Sequence, residues 1–226
     1  MKHRKHGHKA IASALAGIAD GALIALADCP EHLVRVLAET DATGLRLLCE
    51  SEALRSPAVR DLLLSGHVDI VTRACSDAAA DDVIRTSTGK PVLVQWLTYE
   101  QMTEALMAAV GGLRDFYSSG EVHTRIRRPE PDARRWERLS ADGADFVRKA
   151  ALYPDLTLLR SREADSFGAL RLPHRDEASD RLAAAMGQAA TRTVAECPAP
   201  PLPRLPSHTV DVPGRPTTTV INLSVP

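Results

Sequence analysis

Residues 10–27, Ala-Ile-Ala-Ser-Ala-Leu-Ala-Gly-Ile-Ala-Asp-Gly-Ala-Leu-Ile-Ala-Leu-Ala, decide how the chain is read. Ile11, Leu15, Ile18, Ala22 and Leu26 recur at helical spacing in an alanine-rich background, which predicts one helix with a single apolar stripe. The segments downstream extend that reading. Asp28 stands as an N-cap, with Pro30 in the first turn and Glu31 at the capping-box position, ahead of a helix carrying Leu33, Val36 and Leu37. Leu45, Leu48 and Leu54 predict a short helix over about 44–54. Ser56-Pro57 opens another, through Val59, Leu62 and Leu63 to Gly66, and Val68, Val71 and Cys75 continue the 3.6-residue period. The first third therefore reads as stacked short helices, with no internal repeat.

The texture changes near residue 86. Pro91-Val-Leu-Val-Gln-Trp-Leu97 is a compact β-prone run, and Thr98 with Gln101 forms a capping box. The helix it starts carries Met102, Leu106, Val110, Leu113 and Tyr117, with Gly120 as its stop. Val122, Thr124 and Ile126 alternate with His123, Arg125 and Arg127 as a half-buried strand with a cationic outer face. Trp136, Leu139, Phe146 and Val147 suggest a broken helix, 156–159 and 169–172 are strand candidates, and Pro173 opens a last helix through Leu182, Met186 and Ala190. Five prolines between 198 and 206 make a stiff spacer before the β-favouring run 217–225. That run either adds to a neighbour's sheet edge or returns to its own sheet. The fold expected is α+β and predominantly α-helical. A basic arm (1–9) and a helical domain (10–85) precede a smaller mixed domain (86–195) and a proline-rich spacer with a C-terminal strand or arm (196–226).

Hydrophobic content of 44% and charged content of 25% are those of an ordinary globular chain, while aromatics at 4% leave the core to aliphatic residues. The net charge of −1 hides a basic start: Lys2, Arg4, Lys5 and Lys9 precede the first acid, Asp20. A second basic cluster comprises Arg125, Arg127, Arg128, Arg134, Arg135 and Arg138, with Trp136 inside it. Guanidinium groups bind phosphates bidentately and an aromatic stacks on bases, so both clusters are candidate contacts for RNA or DNA. Cys29, Cys49, Cys75 and Cys197 lack metal-ligand spacing and read as buried thiols of a reducing compartment. Asp20 and two glycines interrupt the apolar run 10–27, which argues against a secretory signal, and no stretch reads as a membrane span.

No motif for catalysis survives. His174-Arg175-Asp176 spells a protein-kinase tripeptide, but Arg181 stands where a metal-binding Asn is required, and no glycine-rich loop accompanies it. Gly89-Lys90 lacks the glycine and hydroxyl of a phosphate loop, with Ile84 and Pro91 at those positions. His67, Asp69 and His123 have no spacing that fixes two ligands on one face. The sequence thus predicts a non-enzymatic assembly protein of coat- or nucleoprotein-like layout, in the cytoplasm or a virion, without metal or cofactor. It would self-associate through Val220, Ile221, Leu223 and Val225 and hold nucleic acid through its basic residues. A helical adaptor and a small enzyme with a scattered site are the alternatives.

Overall fold

The computed structural model describes residues 3–75, 84–85, 89–118, 138–141 and 144–224. Its centre is an eight-stranded sheet. In chain order the strands are β1 (Leu23–Ala27), β2 (Leu45–Glu50), β3 (Val68–Ala74), β4 (Ile84–Arg85), β5 (Pro91–Leu97), β6 (Asp115–Ser118), β7 (Arg138–Ala141), β8 (Ala144–Ala150), β9 (Leu156–Arg160), β10 (Glu163–Ala164), β11 (Leu170–Arg171), β12 (Arg192–Cys197) and β13 (Thr218–Asn222). The sheet runs β13-β12-β9-β1-β2-β3-β5-β4, with β4 antiparallel to β5 and every other pairing parallel. Strands β6, β8 and β7 make a separate antiparallel sheet, and β10 pairs with β11.

The helices α1 (His3–Ala14), α2 (Glu31–Leu37), α3 (Pro57–Leu64), α4 (Tyr99–Val110) and α5 (Glu177–Ala189) divide between the two faces. Ile24 and Leu26 of β1 pack with Ile11, Leu33, Leu37 and Leu62 from α1, α2 and α3. Leu23, Ala25 and Ala27 of the same strand pack with Met102, Leu106, Leu182 and Met186 from α4 and α5. Every residue of β1 is buried. Such a strand has no polar face, so its sequence shows a continuous apolar run instead of a period of two.

This corrects the expectation of a predominantly helical α+β protein: the chain is an α/β protein built on a largely parallel sheet. The predicted helix over 10–27 is helix α1, a turn and strand β1. Gly17 and Gly21, with φ of 75° and 73°, break it, and Asp20 fastens the turn by accepting from the Thr43 backbone N–H at 2.7 Å. The helices predicted over 44–54 and 68–75 are β2, a 3-10 turn (Ser51–Arg55) and β3. Helix α4 begins at the predicted capping box and ends at Gly111, before β6 takes up Tyr117. Of the expected arm (1–9), residues 3–9 are helical and form the start of α1. The C-terminal run pairs parallel with β12 of its own sheet, through Val220 opposite Ala195 and Ile221 opposite Glu196.

From β1 the chain winds outward through β2, β3 and β5, then re-enters beside β1 as β9 and winds the other way through β12 and β13. Strands β1 and β9 therefore flank a topological switch point, and the carboxyl ends of the strands there form the crevice where open α/β sheets receive ligands.

Candidate functional site at the carboxyl ends of the strands

Strand β1 leaves the sheet through Asp28 and Cys29, whose φ values of 55° and 45° are left-handed. This conformation costs an L-residue about 1–2 kcal/mol, and here two non-glycine residues adopt it consecutively. Such strain persists only where surrounding structure imposes it, and it concentrates at working sites. The next strand, β2, ends at Glu50, which is 3% exposed. A buried carboxylate requires a partner, and Arg175 supplies it from the loop ahead of α5. Its Nη1 donates to Glu50 Oε2 at 2.5 Å and its Nη2 to Oε1 at 2.8 Å, while Nε lies 3.4 Å from Asp28 Oδ1. The arginine backbone is pinned as well, its N–H donating to Asp180 Oδ1 at 3.1 Å. Asp176 caps α5 by accepting from the Ser179 N–H, which fixes where that loop enters the helix.

One guanidinium thus serves two carboxylates in unlike environments. Burial pushes the Asp28 carboxyl above its ordinary value, with the Glu50 and Asp180 charges acting in the same sense and Arg175 and Arg160 opposing them. Burial alone would lower Arg175, but its hydrogen bond and charge pairing with Glu50 outweigh that and raise it. Tyr99, at the start of α4, is raised by burial and then by the Glu50 charge. Burial raises the Cys29 thiol and pushes the Cys49 thiol up to about 12, so neither is a ready thiolate.

A second buried acid, Glu196, stands near the end of β12 and is also 3% exposed. Its Oε2 accepts from the backbone N–H groups of His32 at 3.1 Å and Leu33 at 3.4 Å, and His32 Nδ1 lies 3.5 Å away. Burial raises its carboxyl above the ordinary value despite these donors. Glu196 therefore supplies the cap that the sequence assigned to Asp28, and Pro30 occupies the N-cap position of α2 without a side-chain bond.

A groove of about 570 Å³ between α4 and α5 is lined by Tyr99, Ala178, Met107, Arg181 and three glutamates, Glu100, Glu104 and Glu177. Its predominantly acidic rim disfavours a polyphosphate. Among the described residues no group of three His, Cys, Asp or Glu side chains is arranged to hold a metal ion. No helix among them is long and apolar enough to cross a membrane.

The residues singled out from the sequence fall elsewhere. Lys2, Arg125, Arg127, Arg128, Arg134, Arg135 and Val225, with His123 and Trp136, lie outside the described residues. Arg4, Lys5 and Lys9 belong to α1, Lys9 being exposed, and Arg138 opens β7 opposite Val147. Val220 and Ile221 lie in β13, with Ile221 in the core, and Leu223 packs against that core. His67 precedes β3 at the opposite edge of the sheet. His174-Arg175-Asp176 does lie at the site, in a role unrelated to kinases. The sequence reading did not single out Glu50. The available signal was a lone acid ending an aliphatic run, Leu-Arg-Leu-Leu-Cys-Glu over 45–50, the place where a parallel strand delivers a side chain to the ligand edge.

No family model matches the sequence, nor does any curated protein. Solved structures do match the fold. Glutaconate coenzyme A-transferase from Acidaminococcus fermentans superposes with a TM-score of 0.68 at 17% identity, covering 96% of this chain and 74% of that one. The acyl-CoA transferase YdiF of E. coli O157:H7 gives 0.65 at 16% identity over 94% of this chain, which spans only 46% of the YdiF chain. The AibA/AibB decarboxylase gives 0.59 at 22% identity, over 94% and 81%. At these identities the likeness is one of fold, and the fold is the α/β fold of CoA-transferases. It overturns the expectation of a non-enzymatic coat or nucleoprotein, together with its virion setting and its self-assembly on RNA or DNA. The three structures named above are of enzymes, and the helical globule on which that layout depended is not what the chain forms.

Proposed function

We infer that this chain is the carboxylate-bearing part of an enzyme that processes acyl-CoA thioesters, with Glu50 as the nucleophile. One observation carries the reading: a buried glutamate at the carboxyl end of a central parallel strand, beside the switch point, with a guanidinium on both oxygens. A carboxylate is a competent acyl acceptor when it is positioned and kept ionised. One Glu50 oxygen adds to the thioester carbonyl and CoA leaves as its thiolate, so Glu50 becomes a mixed anhydride. The thiolate then adds to the Glu50 carbonyl carbon, the acyl group leaves as a free carboxylate, and Glu50 is left as a CoA thioester. A second carboxylic acid reverses both steps and departs as the new acyl-CoA. No water or proton is consumed, and Arg175 must yield one of the two oxygens before attack. The fold of glutaconate CoA-transferase and YdiF supports this class. The chain spans about half of YdiF but 74% of the glutaconate coenzyme A-transferase chain.

The test is mass spectrometry of the protein, purified with any bound partner retained, after incubation with butyryl-CoA. A CoA adduct on the peptide holding Glu50, absent from Glu50→Gln, is the expected result; no adduct on that peptide sinks the reading. A second reading, decarboxylation, is favoured by Asp28, a raised acid beside the same arginine and able to supply the proton that a carbanion needs. It requires release of carbon dioxide from a carboxylated acyl-CoA with no glutamyl adduct.

A further inference from the structure

Arg175 is the more exposed member of its pair with Glu50. Its side chain is 30% exposed and that of Glu50 is 5% exposed, so a molecule approaching the carboxylate meets the guanidinium first. Arginine carries five N–H donors. Two are engaged by Glu50, and a third faces Asp28 at the longer distance of 3.4 Å. The backbone bond to Asp180 and the Nε contact with Asp28 hold the stem, while the Nη end is free to exchange partners.

Charge balance then dictates what happens when Glu50 becomes an anhydride or thioester. Its negative charge vanishes, and a half-buried guanidinium loses the partner that compensated its desolvation. The site at that moment calls for an anion beside the Glu50 carbonyl. The reaction supplies one, since the acid released from Glu50 and the acid that must attack it are both carboxylates. We propose that Arg175 takes up the carboxylate of the acyl acceptor when Glu50 is a CoA thioester, making it the acid-binding residue of the site; this rests on Glu50 being the nucleophile. The resting contact with Glu50 occupies the same Nη donors that the acceptor uses next. A bidentate guanidinium–carboxylate pair also fixes the plane of the acceptor, turning one of its oxygens toward the carbonyl it attacks.

Replacing Glu50 by Gln reproduces the uncharged, esterified state without chemistry. Calorimetric titration with sodium butyrate should show Glu50→Gln binding about ten- to a hundredfold more tightly than wild type, the range for regaining a charge-assisted pair. Butyrate methyl ester should show no such gain, and Glu50→Gln/Arg175→Gln should fall back to the wild-type level. Equal butyrate affinity in all three proteins overturns the proposal. If Glu50→Gln does not fold alone, butyrate should restore a cooperative melting transition, and failure to restore it overturns the proposal equally. These readouts need no turnover, so their failure is distinct from absence of the CoA adduct, which removes the reading of Glu50 as nucleophile.

Discussion

Glu50 and Glu196 are equally buried acids at the same edge of one sheet, yet their partners differ in kind. Glu50 faces a side-chain guanidinium on a loop, a partner that is partly exposed and able to exchange. Glu196 is held by backbone N–H groups of the first turn of α2, which cannot move without moving the helix, with the His32 imidazole a longer contact at 3.5 Å. Burial alone therefore does not mark a working acid. A guanidinium on both oxygens, in place of fixed backbone donors, is what separates the carboxylate proposed to react from the one that serves as a cap.

The strongest way to break this contrast is to substitute both acids and compare. Glu50→Gln should lower thioester exchange by at least about a thousandfold, as loss of a covalent nucleophile does, measured by transfer of label from butyryl-CoA to acetate. Glu196→Gln should leave that rate within about twofold, because its amide oxygen still accepts from the same N–H groups. In stability the order reverses. Glu196→Ala strands the buried Leu33 N–H and the part-buried His32 N–H and should cost about 2 kcal/mol in urea denaturation, against less than about 1 kcal/mol for Glu196→Gln.

A smaller effect sharpens the picture at the strained turn. Asp28→Gly removes the left-handed penalty and should stabilise the fold by about 1 kcal/mol while slowing turnover; a loss of stability would mean that the Arg175 contact outweighs the strain. The smallest effect is the pH dependence. Burial raises Glu196 above 4.5 and Asp28 above 3.8, so the folded protein keeps protons that the unfolded chain has released. Each contribution is fully present below the ordinary value and is lost as pH rises through the raised one. Glu196→Gln should accordingly flatten the fall in wild-type stability as pH rises past the ordinary glutamate value, read from denaturation midpoints.

What the sequence conveyed follows from how each element meets solvent. Helices α3 and α4, strands β5 and β9 and the Thr98–Gln101 capping box were legible, because local turn chemistry or a one-sided apolar stripe marks them. Strands β1, β2 and β3 were read as helices, since buried parallel strands present unbroken apolar runs that match a helical period wherever it is laid. The alternation of such runs with Glu31–Leu37 and Pro57–Leu64 was the sign of a parallel sheet. The site was less accessible still. Glu50 and Arg175 are 125 positions apart and meet only because β9 inserts beside β1. Asp28 resembles a helix cap in its local sequence, and its left-handed backbone appears only in three dimensions.

Strand β13 runs parallel to β12, so residues just past Asn222 emerge at the same rim of the sheet as Glu50. Four inter-strand steps separate β13 from β2, a lateral offset of about 19 Å at ordinary spacing. A fluorophore attached through Ser224→Cys would thus act as a molecular ruler, reporting arrival of a labelled thioester from outside the reaction crevice.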